Sequence, residues 1–198
     1  MGSSTFTRRG VLARAGAGAA LVVGGSAVGA LAAPARAATP DADLAYARLL
    51  VALELLSLDF YARALRSGRF GAQLELRRAR AAEKQHYEVV AAVLTAAGQV
   101  PARAQDIDFS YPRGSFGSNR AIALLGVRLE TLSLGAYLGA VRALETPAFR
   151  NHAARAAASE AQHLSVFSGA VGGRRLGPPL PPTLSIDRVS NALDAYTS

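Results

Sequence analysis

Four stretches of the chain repeat apolar side chains at intervals of three, four and seven residues. This spacing places the apolar groups on one face of an α-helix. The pattern predicts helices over residues 42–65, 72–97, 120–144 and 147–171. A shorter amphipathic pattern predicts a small helix over residues 186–196. Runs of β-branched residues are few, so we expect an all-α protein.

Capping residues stand at the ends of these stretches. Asp41 or Asp43 is expected to cap the first helix, and Asn119 the third. Pro147 suits the first turn of the fourth helix, and Ser185 is expected to cap the short C-terminal helix. The capping residues therefore predict the same helix boundaries as the apolar pattern.

The connection between the second and third helices is long, polar and contains Pro and Gly over residues 105–119. Two helices, a long crossover and two more helices form a known four-helix-bundle topology. We predict three parts, which are a targeting segment over residues 1–37, the bundle over residues 38–171, and a Pro-rich arm with a short helix over residues 172–198.

An internal repeat relates the two halves of the predicted bundle. The first helix contains LELLSLDFY at residues 53–61, and the third contains LETLSLGAY at residues 129–137. The second helix contains EKQH at residues 83–86, and the fourth contains EAQH at residues 160–163. The bundle is therefore predicted to be two copies of one helix pair.

Each copy of the repeat contributes one lone Glu and one Glu-x-x-His to an apolar helix face. A single Glu-x-x-His is more often a buried histidine with a nearby acid, but here the repeat supplies partners. Four buried carboxylates without a neighbouring Lys or Arg are costly, and two divalent ions would balance their charge. Oxygen-rich sites with one imidazole per metal suit iron or manganese better than zinc. The candidate ligands are Glu54, Glu83, His86, Glu130, Glu160 and His163.

This pattern resembles the ferritin-like di-metal-carboxylate superfamily, whose four-helix bundles carry one Glu on each of two helices and a Glu-x-x-His on each of the others. All six positions match. The resemblance implies two iron or two manganese ions, with iron favoured, bridged by Glu83 and Glu160. Glu54 and Glu130 would be terminal ligands, and each metal would take one histidine. The leader and the Pro-rich arm are similar to the branch that includes desiccation-related proteins.

Residues that could support these ligands are less clearly marked. Tyr61, Tyr137, Ser57 and Ser133 lie on the same two helices as the lone glutamates. The tyrosines are expected to be core aromatics with a tethered hydroxyl, although hydrogen bonding to a ligand or electron transfer are alternatives. The residues before the two Glu-x-x-His pairs are not acids, so the partner that orients each histidine stays open.

Four further residues are candidates for a role near the site. His152 is expected to be a surface histidine near the start of the fourth helix. Asp106, Asp108 and Tyr111 are expected to belong to a solvated crossover, with an entrance to the site as the alternative.

Composition and charge exclude several classes of protein. The formal net charge is +8, and half of it comes from four arginines in the first forty residues. In the remainder, arginines and acids are interspersed, so no nucleic-acid surface is indicated. The chain has no cysteine, which excludes disulfides, thiolate zinc sites, iron–sulfur clusters and a rubredoxin-type centre.

The N-terminus has the pattern of an export signal. Arg8 and Arg9 lie in the sequence FTRRGVL, which resembles the twin-arginine signal, and a Gly- and Ala-rich apolar stretch follows. Small residues at Ala35 and Ala37 predict cleavage after Ala37 and a periplasmic or extracellular protein. The alternatives are an ordinary signal peptide or a retained membrane anchor. Contact with the translocase and the membrane would be transient.

Three functions are compatible with these patterns. The first is redox chemistry at the metals with O2 or peroxide, and the second is a non-catalytic stress function with a structural metal. The third is metal sequestration outside the cytoplasm. Assembly into a homo-oligomer is left open by the sequence.

Overall fold

The structure, a computed structural model, describes residues 38–172 and 180–197. The predicted export signal, with Arg8, Arg9 and the cleavage point after Ala37, lies outside the described residues. So do residues 173–179 of the Pro-rich arm.

The described residues form four long helices and one short helix. These are α1 (Asp41–Ser67), α2 (Gln73–Ala96), α3 (Asn119–Ala143), α4 (Pro147–Ala170) and α5 (Ile186–Leu193). A crossover with a single 3-10 turn at Ala104–Asp106 joins α2 to α3. The predicted all-α four-helix bundle with a long crossover and a short C-terminal helix is confirmed.

Two of the predicted helix caps are wrong, because tertiary contacts use those side chains elsewhere. Asp43 is buried, and its carboxylate accepts hydrogen bonds from the Glu145 and Thr146 amides at 2.7 and 2.9 Å, directly before α4. Ser118 caps α3 by accepting from the Ala121 amide. Asn119 instead accepts a hydrogen bond from the Gly71 amide.

The C-terminal end of the chain is attached to the bundle and to the crossover. Ser185 caps α5, as predicted, by accepting from the Arg188 amide, and α5 ends at Leu193 rather than at residue 196. The Ser110 amide of the crossover donates to the Tyr196 carbonyl at 2.8 Å.

Helix α3 is the most apolar of the long helices in character. It is long and apolar enough to cross a membrane, but 67% of its most apolar 18-residue segment is buried inside the bundle. Its apolar side chains therefore belong to the core, where Ile122, Leu125 and Leu129 pack. Each repeat half forms an antiparallel helix pair, α1 with α2 and α3 with α4, and the polar candidates lie between the pairs.

Candidate metal centre

The six candidate ligands lie at the middle of the bundle, although they come from four different helices. The four carboxylates are at most 1% exposed, and His86 is 8% exposed. His163 keeps 11% of its side chain exposed. Glu and His three residues apart on α2 and on α4 share the inward face of each helix, so the fold delivers both groups to the same place.

The ligand groups form two quartets around the two histidine Nδ1 atoms. His86 Nδ1 lies 3.0 Å from Glu160 Oε1, 3.5 Å from Glu83 Oε2 and 3.9 Å from Glu54 Oε1. We call Glu54, Glu83, His86 and Glu160 the His86 quartet. In each quartet the ligand atoms lie within 4.8 Å of one another, as a shared metal ion requires.

The second quartet has the same composition. His163 Nδ1 lies 2.9 Å from Glu83 Oε1, 3.4 Å from Glu160 Oε2 and 3.6 Å from Glu130 Oε2. We call Glu83, Glu130, Glu160 and His163 the His163 quartet. Glu83 and Glu160 belong to both quartets and turn one oxygen toward each histidine. This is the arrangement that a carboxylate bridging two metals needs.

The two tyrosines of the repeat hold the glutamates that are not shared. The Tyr61 hydroxyl donates a hydrogen bond to Glu130 Oε1 at 2.5 Å, and the Tyr137 hydroxyl donates to Glu54 Oε1. Each pair joins α1 to α3, so the tyrosine of one copy orients the glutamate of the other. The sequence placed Tyr61 on the same helix face as Glu54, but it did not indicate that each tyrosine bonds the glutamate of the other copy.

Eight donor atoms of the six residues are buried and have no hydrogen-bond partner within the described part of the chain. They are Glu54 Oε2, Glu130 Oε2, both oxygens of Glu83 and of Glu160, and Nδ1 of His86 and of His163. Buried polar atoms are almost always satisfied in native proteins, so eight unsatisfied atoms facing one another indicate a site for a cation. Four donors per quartet fit a metal ion at each.

A family model for the ferritin-like domain matches residues 42–173, which include all four long helices and all six candidate ligands. The chain belongs to the ferritin-like domain family. Comparison with curated proteins gives no match. The resemblance inferred from the repeat is thereby confirmed at the level of the superfamily.

The electrostatics of this ferritin-like centre show how strongly it needs positive charge. Burial, reinforced by the charges of Glu83 and Glu160, raises the pKa of Glu54 well above its usual range. Burial also raises the pKa of Glu130, although the nearby His163 imidazole opposes the rise. Ionising all four carboxylates is therefore unfavourable without a cation.

For the two histidines and the shared Glu83, the surroundings favour the charged form instead. Burial opposes a charged His86, but the nearby carboxylates of Glu160 and Glu83 outweigh it and raise the pKa of His86 to about 9. The same competition, with Glu130 as the leading partner, raises the pKa of His163 to about 12. Burial opposes ionisation of Glu83 too, yet both histidines lower its pKa to about 2. Protons on the imidazoles thus occupy the role that cations would take.

The expected surface position of His152 is wrong. It is half-buried, its ring centroid lies 6.1 Å from that of His86, and its Nε2 atom is buried without a hydrogen-bond partner among the described residues. Burial is the main cause that lowers the pKa of His152 to about 4, with His86 and Arg155 adding to it. Its position two turns before Glu160 on α4 was the signal that the sequence offered.

Ser159 contacts the outer ring nitrogen of His163, although the sequence did not mark it as a partner. Ser159 Oγ lies 3.4 Å from His163 Nε2, one helical turn away. The equivalent residue before His86 is Ala82, whose side chain has no polar group. Ser57 and Ser133 are buried on α1 and α3, each 2% exposed. The two histidines are therefore supported differently.

The polar residues of the crossover have structural roles. Asp106 accepts a hydrogen bond from the Arg103 amide at 2.8 Å, which closes the 3-10 turn. The Tyr111 hydroxyl donates to the Leu56 carbonyl, and Asp108 is exposed. These contacts agree with the solvated crossover that was expected by default.

Proposed function

We propose that this chain is an exported ferritin-like protein that binds two iron or two manganese ions, with iron favoured, and uses them for redox chemistry with O2 or peroxide. The observation that carries the proposal is the set of eight buried donor atoms without partners, divided equally between two quartets. A structural core would have no reason to leave them unsatisfied.

The donor chemistry favours these metals over others. Each quartet offers three carboxylate oxygens and one imidazole nitrogen, a set that suits iron and manganese. Two divalent ions bring four positive charges to four carboxylates, which removes the conflict that raises the pKa of Glu54 and Glu130. The absence of cysteine leaves no thiolate to direct the site toward zinc or an iron–sulfur cluster.

The residues around the centre have separate tasks in this proposal. Glu83 and Glu160 would be the ligands shared by both metals, since each turns one oxygen toward each histidine. Tyr61 and Tyr137 orient the terminal carboxylates of Glu130 and Glu54 through their hydrogen bonds. Four protein donors per metal leave coordination positions open for a small molecule. Bound iron or manganese would supply the electron exchange with O2 or peroxide.

Export is part of the proposal and rests on Arg8, Arg9 and the apolar stretch after them. The twin-arginine route carries folded proteins, which suits a centre that must be loaded before the bundle reaches its destination. The expected partners are then metal ions, O2 or peroxide, and the twin-arginine translocase.

The deciding experiment is elemental analysis of the purified protein followed by reaction. Two metal ions per chain are expected, and Glu83→Ala, which removes a shared ligand, should lose both. Anaerobic protein with two ferrous ions per chain should develop ferric absorption in air. Protein with two manganese ions should instead release O2 from hydrogen peroxide.

Two outcomes would refute parts of this proposal. Protein that takes up no metal under any loading would remove the metal centre altogether. Protein that binds two metals but performs neither reaction would favour sequestration or a non-catalytic stress function, such as that implied by the similarity to desiccation-related proteins.

A further inference from the structure

His152 is a polar group beside the centre that none of the roles above uses. Its ring stands edge-on to His86, at 6.1 Å between centroids, and to Tyr137, at 6.3 Å. Its Nε2 atom is buried and has no partner in the described residues. It does not belong to either quartet, so it is a neighbour of the ligands and not one of them.

The other end of the centre is lined mainly by aromatic rings, with the Ser159 hydroxyl beside His163 Nε2. Around Tyr61, the rings of Phe60 and Phe167 lie at centroid distances of 5.2 and 5.9 Å, and Phe70 packs on Phe167 at 5.3 Å. All three phenylalanines are at most 1% exposed. A molecule that needs hydrogen bonds finds no polar partner among these rings.

The repeat shows that this difference is specific to the two ends. The positions equivalent to Phe60 and Phe167 in the other copy are Ala136 and Val90, and the position equivalent to His152 is Glu75, which is exposed. The ligands and tyrosines of the repeat are kept in both copies, whereas the surrounding residues differ. The centre therefore has one apolar end and one end with smaller side chains and an imidazole.

We propose that His152 is a positioning residue for small polar ligands of the centre, with its Nε2 atom hydrogen-bonded to a water, peroxide or azide molecule held beside the His86 quartet. A buried nitrogen without a partner costs stability, so a site that leaves it unpaired in the protein indicates a partner from solution. The inference rests on the proposed function, because it presupposes metal at the His86 quartet.

Azide binding to the cobalt-loaded protein tests this role. Co²⁺ is a suitable probe, because it binds such sites more tightly than Fe²⁺ and its visible spectrum reports coordination. The full chain and each variant are loaded, the cobalt content is measured, and azide is titrated. His152→Phe copies the apolar end and should weaken azide binding about tenfold with two ions retained, which equals about 1.4 kcal/mol or one hydrogen bond.

Matched variants separate hydrogen bonding from packing. His152→Gln keeps a donor and an acceptor and should stay within about threefold of the wild type, since one hydrogen bond is retained. Phe167→Leu changes the opposite end and should leave azide affinity unchanged. His152→Leu serves as a second, smaller apolar variant in case the Phe variant does not fold.

The outcomes separate this inference from the proposed function. Azide affinity equal to the wild type in a His152→Phe or His152→Leu protein with two cobalt ions would overturn the role of His152 alone. A wild-type protein with two cobalt ions and no response to azide would do the same. A wild-type protein that binds neither cobalt, iron nor manganese would overturn the proposed function, and this inference with it.

Discussion

Tyr61→Phe removes a single hydroxyl from the interior of the bundle, and its effect on stability can be worked out from the structure. Tyr61 is fully buried, and its hydroxyl donates to Glu130 Oε1. The variant leaves that oxygen unpaired, which costs about 1–3 kcal/mol. The ring contacts with Phe60 and Phe167 stay, so no cavity term is added. The free energy of unfolding should therefore fall by about 1–3 kcal/mol, out of roughly 5–15 for a typical domain.

The assay is denaturant unfolding of the metal-free protein, followed by far-ultraviolet circular dichroism. Tyr137→Phe should cost a similar amount, because Tyr137 is equally buried and donates to Glu54 in the same way. Tyr87→Phe is the matched control. Its hydroxyl donates to the Ala102 carbonyl at 2.8 Å in a half-buried position, where water can replace it. Should Tyr61→Phe cost no more than Tyr87→Phe, the inter-copy hydrogen bonds would not stabilise the bundle.

Three further predictions concern metal, pH and export. Metal-free protein should unfold at a lower temperature than metal-bound protein. Bound metal should add about 4 kcal/mol to the free energy of unfolding when free metal is at a thousandfold excess over its dissociation constant. Glu54→Gln should raise the melting temperature of the metal-free protein in calorimetry, because it removes a buried ionisable group. Equal melting temperatures of the wild-type protein with and without metal would argue against bound metal. Asp43→Asn should lower the unfolding free energy by about 1–3 kcal/mol at neutral pH. Burial opposes its ionisation, but hydrogen bonds from Thr146 and Glu145 lower the pKa of Asp43. Its contribution is complete above the unfolded value of about 3.9 and is lost as pH falls through the folded pKa, so the two denaturation curves should converge in acid. Arg8→Lys with Arg9→Lys should leave the precursor in the cytoplasm by cell fractionation, and normal export of this variant would refute the twin-arginine interpretation.

The fold and the six candidate ligands were predictable from sequence because two independent periodicities agree. The helical period places Glu83 and His86 on one apolar face, and the repeat produces the same pair again at Glu160 and His163. A carboxylate on an apolar stripe conflicts with burial unless something else is bound there. Both patterns can be read from the sequence, because each depends only on the order of residues along the helices.

The features that the sequence did not reveal depend on contacts between helices. Asp43 has the residue type of a cap for α1, but the bundle brings its carboxylate to the amides before α4. The Tyr61 hydroxyl reaches Glu130 and not Glu54, because α1 and α3 pack against each other at the centre. His152 shares its helix face with Phe149, Ala156 and Glu160, but the contact of its ring with His86 depends on the packing of α4 against α2.

The two copies of the repeat share their ligands but differ around them, and the packing of the C-terminal arm is one of these differences. Gly135 and Gly139 on α3 leave room for the arm: a Cβ atom at Gly139 would lie 1.9 Å from the Leu184 carbonyl oxygen, and the Leu184 amide donates to the Gly135 carbonyl. The equivalent positions on α1 are Asp59 and Arg63, which form an ion pair at 2.8 Å and leave no such surface. The arm can therefore dock on one copy alone. Metals bound as proposed would constrain the groups that face them and leave the residues outside the ligand set free to differ between the copies. If the centre binds two ions as proposed, its donors are symmetric while the side chains around them differ between the two ends.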